Sequence, residues 1–235
     1  DARGLIVRIT DPLGRFTTIE RDGQGLPTSQ TLPDPDAGGP LPPPVTLFQY
    51  DARANLTQVT LPNLATYQWT YDLAFSQPLS VTDPLGRTTT YALSATGNRL
   101  SRLDALGRLT TYQYNTRGLI TQVVLPDPDG PGPLAAPATQ FAIDAFGRVQ
   151  TVTHPDGAAV QLGYDVADNL VQIVDETSAV TTQVFDRLDR RIEVIQPDPD
   201  GPAGPLSPAR TRYHYQPDGA LERFQTPLGH TFFTS

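Results

Sequence analysis

The sequence has no cysteine, no methionine and no lysine, and all 17 of its basic residues are arginine. Without cysteine there is no disulfide framework and no thiolate metal site. Charge is also sparse: 18% of residues are charged, with a net charge of -8. That balance does not suit a nucleic-acid binder, which carries a basic face. Apolar runs are only a few residues long, too short for a membrane-spanning helix, and the first residues do not read as a signal peptide. The missing methionine and a start in mid-pattern set the expectation that these 235 residues are a segment of a longer chain. Proline, by contrast, is abundant. Its 24 copies are about double the usual share. Hydrophobic residues and glycine together still reach the globular range, which argues against wholesale disorder.

A repeat runs through the whole sequence. The aromatic–Asp step Tyr50-Asp51 recurs as Tyr71-Asp72, Tyr164-Asp165 and Phe185-Asp186, with degenerate copies at Arg21-Asp22, Leu93-Ser94, Tyr114-Asn115, Ile143-Asp144 and Tyr215-Gln216. Counted from Asp1, the steps are 21, 29, 21, 22, 21, 29, 21, 21 and 30 residues. No linker interrupts the series, so residues 1–235 read as a single continuous array. Repeat periods of this size belong to stacked architectures.

Each unit reads as a β-hairpin plus the turn to the next. Glycine follows the Asp position by three residues at Gly4, Gly25, Gly97, Gly118, Gly147 and Gly219. Asp at the first turn position bonds the turn backbone, and Gly tolerates the positive φ that restarts the strand. A second turn follows ten residues later, as in Asp11-Pro12-Leu13-Gly14, Asp83-Pro84-Leu85-Gly86, Asp104-Ala105-Leu106-Gly107 and Thr226-Pro227-Leu228-Gly229.

The returning strands alternate, placing Tyr67, Trp69 and Tyr71 on one face, with Phe48/Tyr50, Tyr112/Tyr114, Leu162/Tyr164 and Tyr213/Tyr215 repeating that pair. These rings read as the core stripe and are expected to form a ladder across the sheet. On the outgoing strands Leu56 and Val59, Val149 and Val152, and Leu170 and Ile173 stand three apart. That spacing puts them on opposite faces unless a bulge intervenes after the turn.

These residues resemble the YD-repeat, or RHS-repeat, family, whose unit looks like Tyr-Asp-x-x-Gly-Asn-Leu followed by Asp-Pro-x-Gly-Arg and Thr-x-Tyr. The matching stretches are Tyr50-Asp51 through Asn55-Leu56, Tyr164-Asp165 through Asn169-Leu170, Gly97-Asn98, Asp11 through Arg15 and Asp83 through Thr88. Such repeats occur in bacterial Rhs and Tc toxin shells, wall-associated proteins and teneurins. The resemblance implies a secreted, extracellular or cell-surface β-shell with no catalytic residue in the repeats.

The expected fold is therefore all-β: about ten β-hairpin repeats forming a spirally wound hollow tube or shell, with an ordinary β-sandwich as the runner-up. Three long units carry extended Pro/Asp tips near 32–44, 125–137 and 196–208, in place of the second turn. Asp127, Asp129, Asp198 and Asp200 are weak calcium candidates, because the closing Glu of an EF-hand loop is absent. Stiff, solvated tips are the plainer reading.

His154, His214 and His230 fall in different repeat contexts without metal-ligand spacing. Arg15, Arg87, Arg108 and Arg148 follow turn glycines and are expected to pair with turn aspartates. The Asn55-Leu56-Thr57 sequon is a single match to the glycosylation pattern. Asp11, Gly14, Asp83, Gly86, Asp51 and Asp165 are thus turn residues, and Tyr50, Trp69, Tyr71, Tyr112, Tyr114 and Tyr164 are stack residues. The functional expectation is a non-catalytic wall segment without cofactor, whose partners are neighbouring repeats or identical chains. The alternatives are the cocoon of an Rhs/Tc-type toxin and a teneurin-like adhesion module.

Overall fold

A computed structural model of the chain describes residues 1–36, 38–201 and 204–234. Among the described residues there is no helix, and the chain divides into two units, Asp1–Thr111 and Tyr112–Ser235. The first contains β1 (Arg8–Thr10), β2 (Phe16–Arg21), β3 (Pro27–Thr31), β4 (Val45–Tyr50), β5 (Leu56–Thr60), β6 (Thr66–Tyr71), β7 (Pro78–Thr82), β8 (Thr88–Leu93) and β9 (Arg99–Leu103). The unit boundary falls within β10 (Leu109–Tyr114). The second contains β11 (Ile120–Val124), β12 (Ala138–Ile143), β13 (Val149–Thr153), β14 (Ala159–Tyr164), β15 (Leu170–Val174), β16 (Val180–Phe185), β17 (Arg191–Ile195), β18 (Arg210–Tyr215), β19 (Leu221–Gln225) and β20 (Thr231–Phe233). Within each unit every strand pairs antiparallel with its sequence neighbour and contacts no other strand among the described residues. Each unit is therefore a meander of one layer, and neither has the second layer of a sandwich.

Two kinds of hairpin alternate. At the turns following the aromatic–Asp step, the strands are joined with a shift in register. Tyr50 lies opposite Leu56 and Gln49 opposite Gln58, leaving Thr57 as the extra residue. The same shift occurs between β2 and β3, β6 and β7, β8 and β9, β12 and β13, β14 and β15, β16 and β17, and β18 and β19. The expected bulge is present. It rotates the strand so that residues three apart return to one face. Phe48 and Tyr50 consequently share a face with Leu56 and Val59. Hairpins closed by second turns, such as those at Leu61 and Asp83, show no shift.

Register assigns the side chains to two distinct faces. On the apolar face, Phe48 lies opposite Val59, which lies opposite Tyr67, and Trp69 opposite Val81. The second unit has an apolar face of its own, carrying Phe141, Val152, Val160, Leu162 and Ile173. The other face is rich in hydroxyls and amides. Thr70 and Ser80 are 2.6 Å apart there, and Thr82 and Thr88 2.9 Å.

The aromatic residues differ from expectation in one respect. Each repeat contributes two strands, so its rings recur on every second strand with an aliphatic residue between, and successive repeats do not stack ring on ring. Tyr67 and Trp69 stack along a single strand at 6.1 Å, and Phe224 contacts Phe232 at 5.1 Å where an aromatic replaces the interleaved aliphatic.

No apolar side chain among the described residues is buried; the buried residues are Ser29, Asp104 and Thr110. The expected core stripe is instead a half-covered face, because a single layer offers cover only from flanking strands. Val59→Ala, which opens a gap between Phe48 and Tyr67, is expected to cost about 1 kcal/mol in urea unfolding. Leu85→Ser, at a turn position that is 76% exposed, should stay within about 0.5 kcal/mol of the parent.

Candidate functional site

The recurring chemistry of this chain lies in its turns. Asp83 shows the plan. Its N–H donates to the carbonyl of Arg87 at 3.0 Å, and the N–H of Gly86 donates to its own carbonyl at 2.9 Å. Its Oδ1 accepts the N–H groups of Leu85 and Arg87, at 2.9 and 3.0 Å. The remaining oxygen receives Arg87 Nε at 2.6 Å, with Nη2 also 2.6 Å away. A single carboxylate thereby satisfies two turn amides and one guanidinium, and the fork geometry of arginine makes the last bond directional. Arg15–Asp11, Arg108–Asp104, Arg148–Asp144 and Arg190–Asp186 repeat the clamp, as expected for the first three of these arginines. At Asp51 and Asp165 the fifth turn residue is asparagine, and Asn55 and Asn169 supply the donor at 2.9 and 3.1 Å.

The fourth turn residue has positive φ in the five-residue turns, at +78° in Gly14 and +76° in Gly86. Ala54, Leu64, Asp168, Ser178 and Asp189 adopt the same conformation without being glycine, at φ between 58° and 69°, and in the longer Asp72 turn the fifth residue, Ser76, does so at 53°. Residue identity at the first position is also relaxed. Leu61, Ser94, Asn115, His154, Gln216 and Thr226 start turns with the same backbone bonds. Leu61, His154 and Asp175 are turn starts that the repeat spacing did not single out.

Neighbouring first turns are tied to each other along one edge of each unit. Arg117 donates to the carbonyls of Asp144 and Ala145 at 2.7 and 2.8 Å, one repeat ahead. Arg148 reaches Asp168 Oδ1 at 2.7 Å, and Asn169 reaches Asp189 Oδ1 at 2.9 Å. In the first unit Arg3 donates to Gly23 O at 3.0 Å, and Asn55 to Ser76 Oγ at 3.2 Å. The Asn55 amide of the sequon is thus engaged on both sides.

The tyrosine of the aromatic–Asp step makes a third link. Tyr71 donates its hydroxyl to Leu56 O at 2.8 Å, Tyr164 to Val149 O at 3.0 Å, and Tyr215 to Arg191 O at 2.9 Å. Each acceptor belongs to the residue that opens the preceding repeat's outgoing strand, beside the bulge that interrupts the ladder. Arg148 and Arg190 also lie over the rings of Tyr164 and Tyr215, at 4.6 and 4.8 Å from the centroids. Burial, followed by the charge of Asp51, raises the Tyr71 phenol above its usual range; burial and Asp22 do the same for Tyr50. Tyr112 and Tyr114 lie on β10, across which the units divide.

Nine turn carboxylates are held below the ordinary Asp range. The side-chain bond from arginine leads at Asp83 and Asp186, that from asparagine at Asp51 and Asp165, and the hydroxyl of Thr177 at Asp175. At Asp144 the amide of Arg148 leads. At Asp11, Asp72 and Asp104 desolvation opposes the shift and is outweighed by amide bonds, joined by guanidinium bonds at Asp11 and Asp104.

The long loops leave from the second-turn edge. Leu32 N–H bonds Pro44 O, Leu125 N–H bonds Pro137 O, and Gln196 N–H bonds Ala209 O. Ala37, Pro202 and Ala203, inside the tips at 32–44 and 196–208, lie outside the described residues. Asp127 Oδ1 accepts Asp129 N–H at 3.2 Å, and Asp129 Oδ2 accepts Leu134 N–H at 3.2 Å. Asp198 and Asp200 accept from Asp200 and Leu206 in the same way, at 3.4 and 3.1 Å. In all three tips a carboxylate folds back over a glycine: a Cβ at Gly39, Gly132 or Gly204 would collide with Asp36, Asp129 or Asp200. Among the described residues no three His, Asp or Glu side chains gather as a metal site. His154 Nε2 lies 3.2 Å from Glu176 Oε1, a contact hidden in the sequence because it joins consecutive second turns.

The RHS Repeat family profile matches residues 1–37, 94–129 and 144–179. Those segments are RHS repeats, and the same turn chemistry continues between them. No curated protein matches the chain in sequence. Among solved structures, the TcdB2-TccC3 crystal structure is 16% identical over 91% of this chain and 16% of that one, with a TM-score of 0.41. The Photorhabdus luminescens Tc holotoxin pore is 16% identical over 93% of this chain and 15% of that one, at 0.42. A porin-like protein from Bacteroides uniformis is 15% identical over 88% and 86% of the two chains, at 0.35. The chain spans about 15% of the length of the Tc chains.

Tyr71→Phe, which leaves the carbonyl of Leu56 without its donor, is expected to lower unfolding free energy by about 1 kcal/mol. A double-mutant cycle with Thr57, which lacks that bond, should show no coupling. Depressed carboxylates stabilise the folded state fully above the unfolded Asp value of ~3.9 and lose that contribution as pH falls through their own lower values. The urea midpoint is therefore expected to drop below about pH 4. Asp83→Asn, which keeps the amide acceptor and removes the charge facing Arg87, should flatten that drop.

Proposed function

We propose that this chain of RHS repeats is a non-catalytic wall segment, and that residues 1–235 form one continuous array within a spirally wound, hollow β-tube or shell. The observation that carries this reading is a mismatch between face and cover. An apolar face runs through each unit, yet no apolar side chain among the described residues is buried. Sheets of many strands coil, and repeat arrays cover their faces by stacking successive turns.

The turn chemistry supports the same reading. Its carboxylates, guanidinium groups and phenols are bonded to backbone and to one another, which suits them to holding a wall together. Strands of six residues or fewer are also shorter than the 9–11 residues of a transmembrane β-strand, favouring a wall in water. The wall is secreted and stands outside the cell or at its surface. Its partners are neighbouring repeats of the same long chain or identical chains, and its Pro/Asp tips are stiff, solvated spacers that require no calcium and no other cofactor.

Electron microscopy of the native full-length protein tests this reading. Hollow particles or tubes are expected, and solid particles without a lumen would overturn it. Closed capsules of one size would select the toxin-type cocoon over an open filament.

A further inference from the structure

Many arginines of this chain, Arg15, Arg87, Arg108, Arg148 and Arg190 among them, are engaged by turn aspartates, but the end of the second unit departs from that pattern. Arg210 and Arg212 on β18 and Arg223 on β19 lie on the hydroxyl-rich face, with His214 opposite Arg223 and Arg212 opposite Gln225. Arg210 Nη1 and Arg212 Nε share one carboxylate, Glu193, at 3.2 and 2.9 Å. Glu193 is their one acidic partner among the described residues. Arg223 Nε is shielded from solvent with no hydrogen-bond partner. Three guanidinium groups thus face one carboxylate, in a chain whose net charge is -8.

This excess of positive charge borders a groove of about 440 Å³ between residues 207–209 and the Thr226 turn. Its lining includes Pro208, Arg210, Arg212, Gln225 and Pro227. Arg210 and Arg212 keep 46% and 56% of their side-chain surface exposed beside it. The remaining donors of both forks are therefore open to an anion arriving from solvent.

We infer that this groove receives the acidic 125–137 tip of a second copy of the chain. Charge complementarity singles out that segment. It contains Asp127 and Asp129 and no basic residue, and both aspartates are exposed, whereas Asp34, Asp36 and Asp198 are half-buried. Asp127 Oδ2 and Asp129 Oδ1 make no bond within the tip among the described residues. Five prolines between positions 125 and 137 hold it extended, which lowers the entropy lost on docking. Within one copy the tip and the groove leave the same edge, separated by about 30 Å of strand spacings, so the partner is a second copy.

The test is the mass of the intact chain in solution by light scattering at about 50 mM and about 500 mM NaCl. Association at low salt and monomers at high salt are expected. Arg212→Glu should weaken association about tenfold or more, and so should the double change Asp127→Arg, Asp129→Arg, each with unchanged circular dichroism. Mixing the two variants should restore association, because each supplies the charge that the other now lacks. Monomers under all conditions, association insensitive to Arg212→Glu, or failure of the mixture to associate would each overturn the inference.

Discussion

The repeating turn, closed by two main-chain bonds and in many copies reinforced by a carboxylate that accepts two amides, is the constraint on which the rest of this chain depends. It places its fourth residue at positive φ and brings the fifth back opposite the first. Where the aromatic–Asp step precedes the turn, the chain leaves it through a bulge, and the bulge gathers Leu56 and Val59 beneath Phe48 and Tyr50. The apolar face is therefore a consequence of turn geometry as much as of side-chain alternation. Without the bulge, half of the outgoing aliphatic residues would lie among the threonines.

Stability is correspondingly local. With no buried apolar side chain among the described residues, no single packing centre organises the fold. Each hairpin contributes a similar increment, and the Arg117, Arg148 and Tyr164 links couple it to the next. Arrays of this kind behave as nearest-neighbour chains, in which a local defect remains local. Asp is the better turn opener here because its short side chain reaches the amides two and four residues ahead. A longer acid would lose that fit and the entropy advantage with it.

How much of this was legible follows from which atoms carry the information. Asp83, Pro84 and Gly86 announce their turn because side-chain chemistry and ring constraint appear directly in residue type. Leu61 and His154 start the same turn without a carboxylate of their own, the fifth residue's amide being taken instead by Asn63 or Asp156 at the third position, which the repeat spacing does not record. Alternation at Tyr67, Trp69 and Tyr71 identified a face, but it carries no information about what covers that face, so a core was expected where the described residues bury no apolar side chain. Spacing located the rings, whereas their interleaving with Val59 and Val81 required the register. The basic groove was invisible for another reason: Arg210, Arg212 and Arg223 come from two strands, and Glu193 from a third. Pairing of Arg15 and Arg87 with turn aspartates was readable because both partners lie within one turn.

The hydroxyl bridge from Tyr71, Tyr164 and Tyr215 to the preceding repeat has a consequence for inheritance. Tyr215 reaches Arg191 although the 196–209 loop lies between them, because that loop departs from the opposite edge. The gene can therefore lengthen such loops freely while every bridge is kept. Unequal recombination that preserves phase gives a longer or shorter array in which a bridged carbonyl still meets its phenol. A crossover out of phase strands a carbonyl beside a bulge, and purifying selection then acts on phase rather than on length.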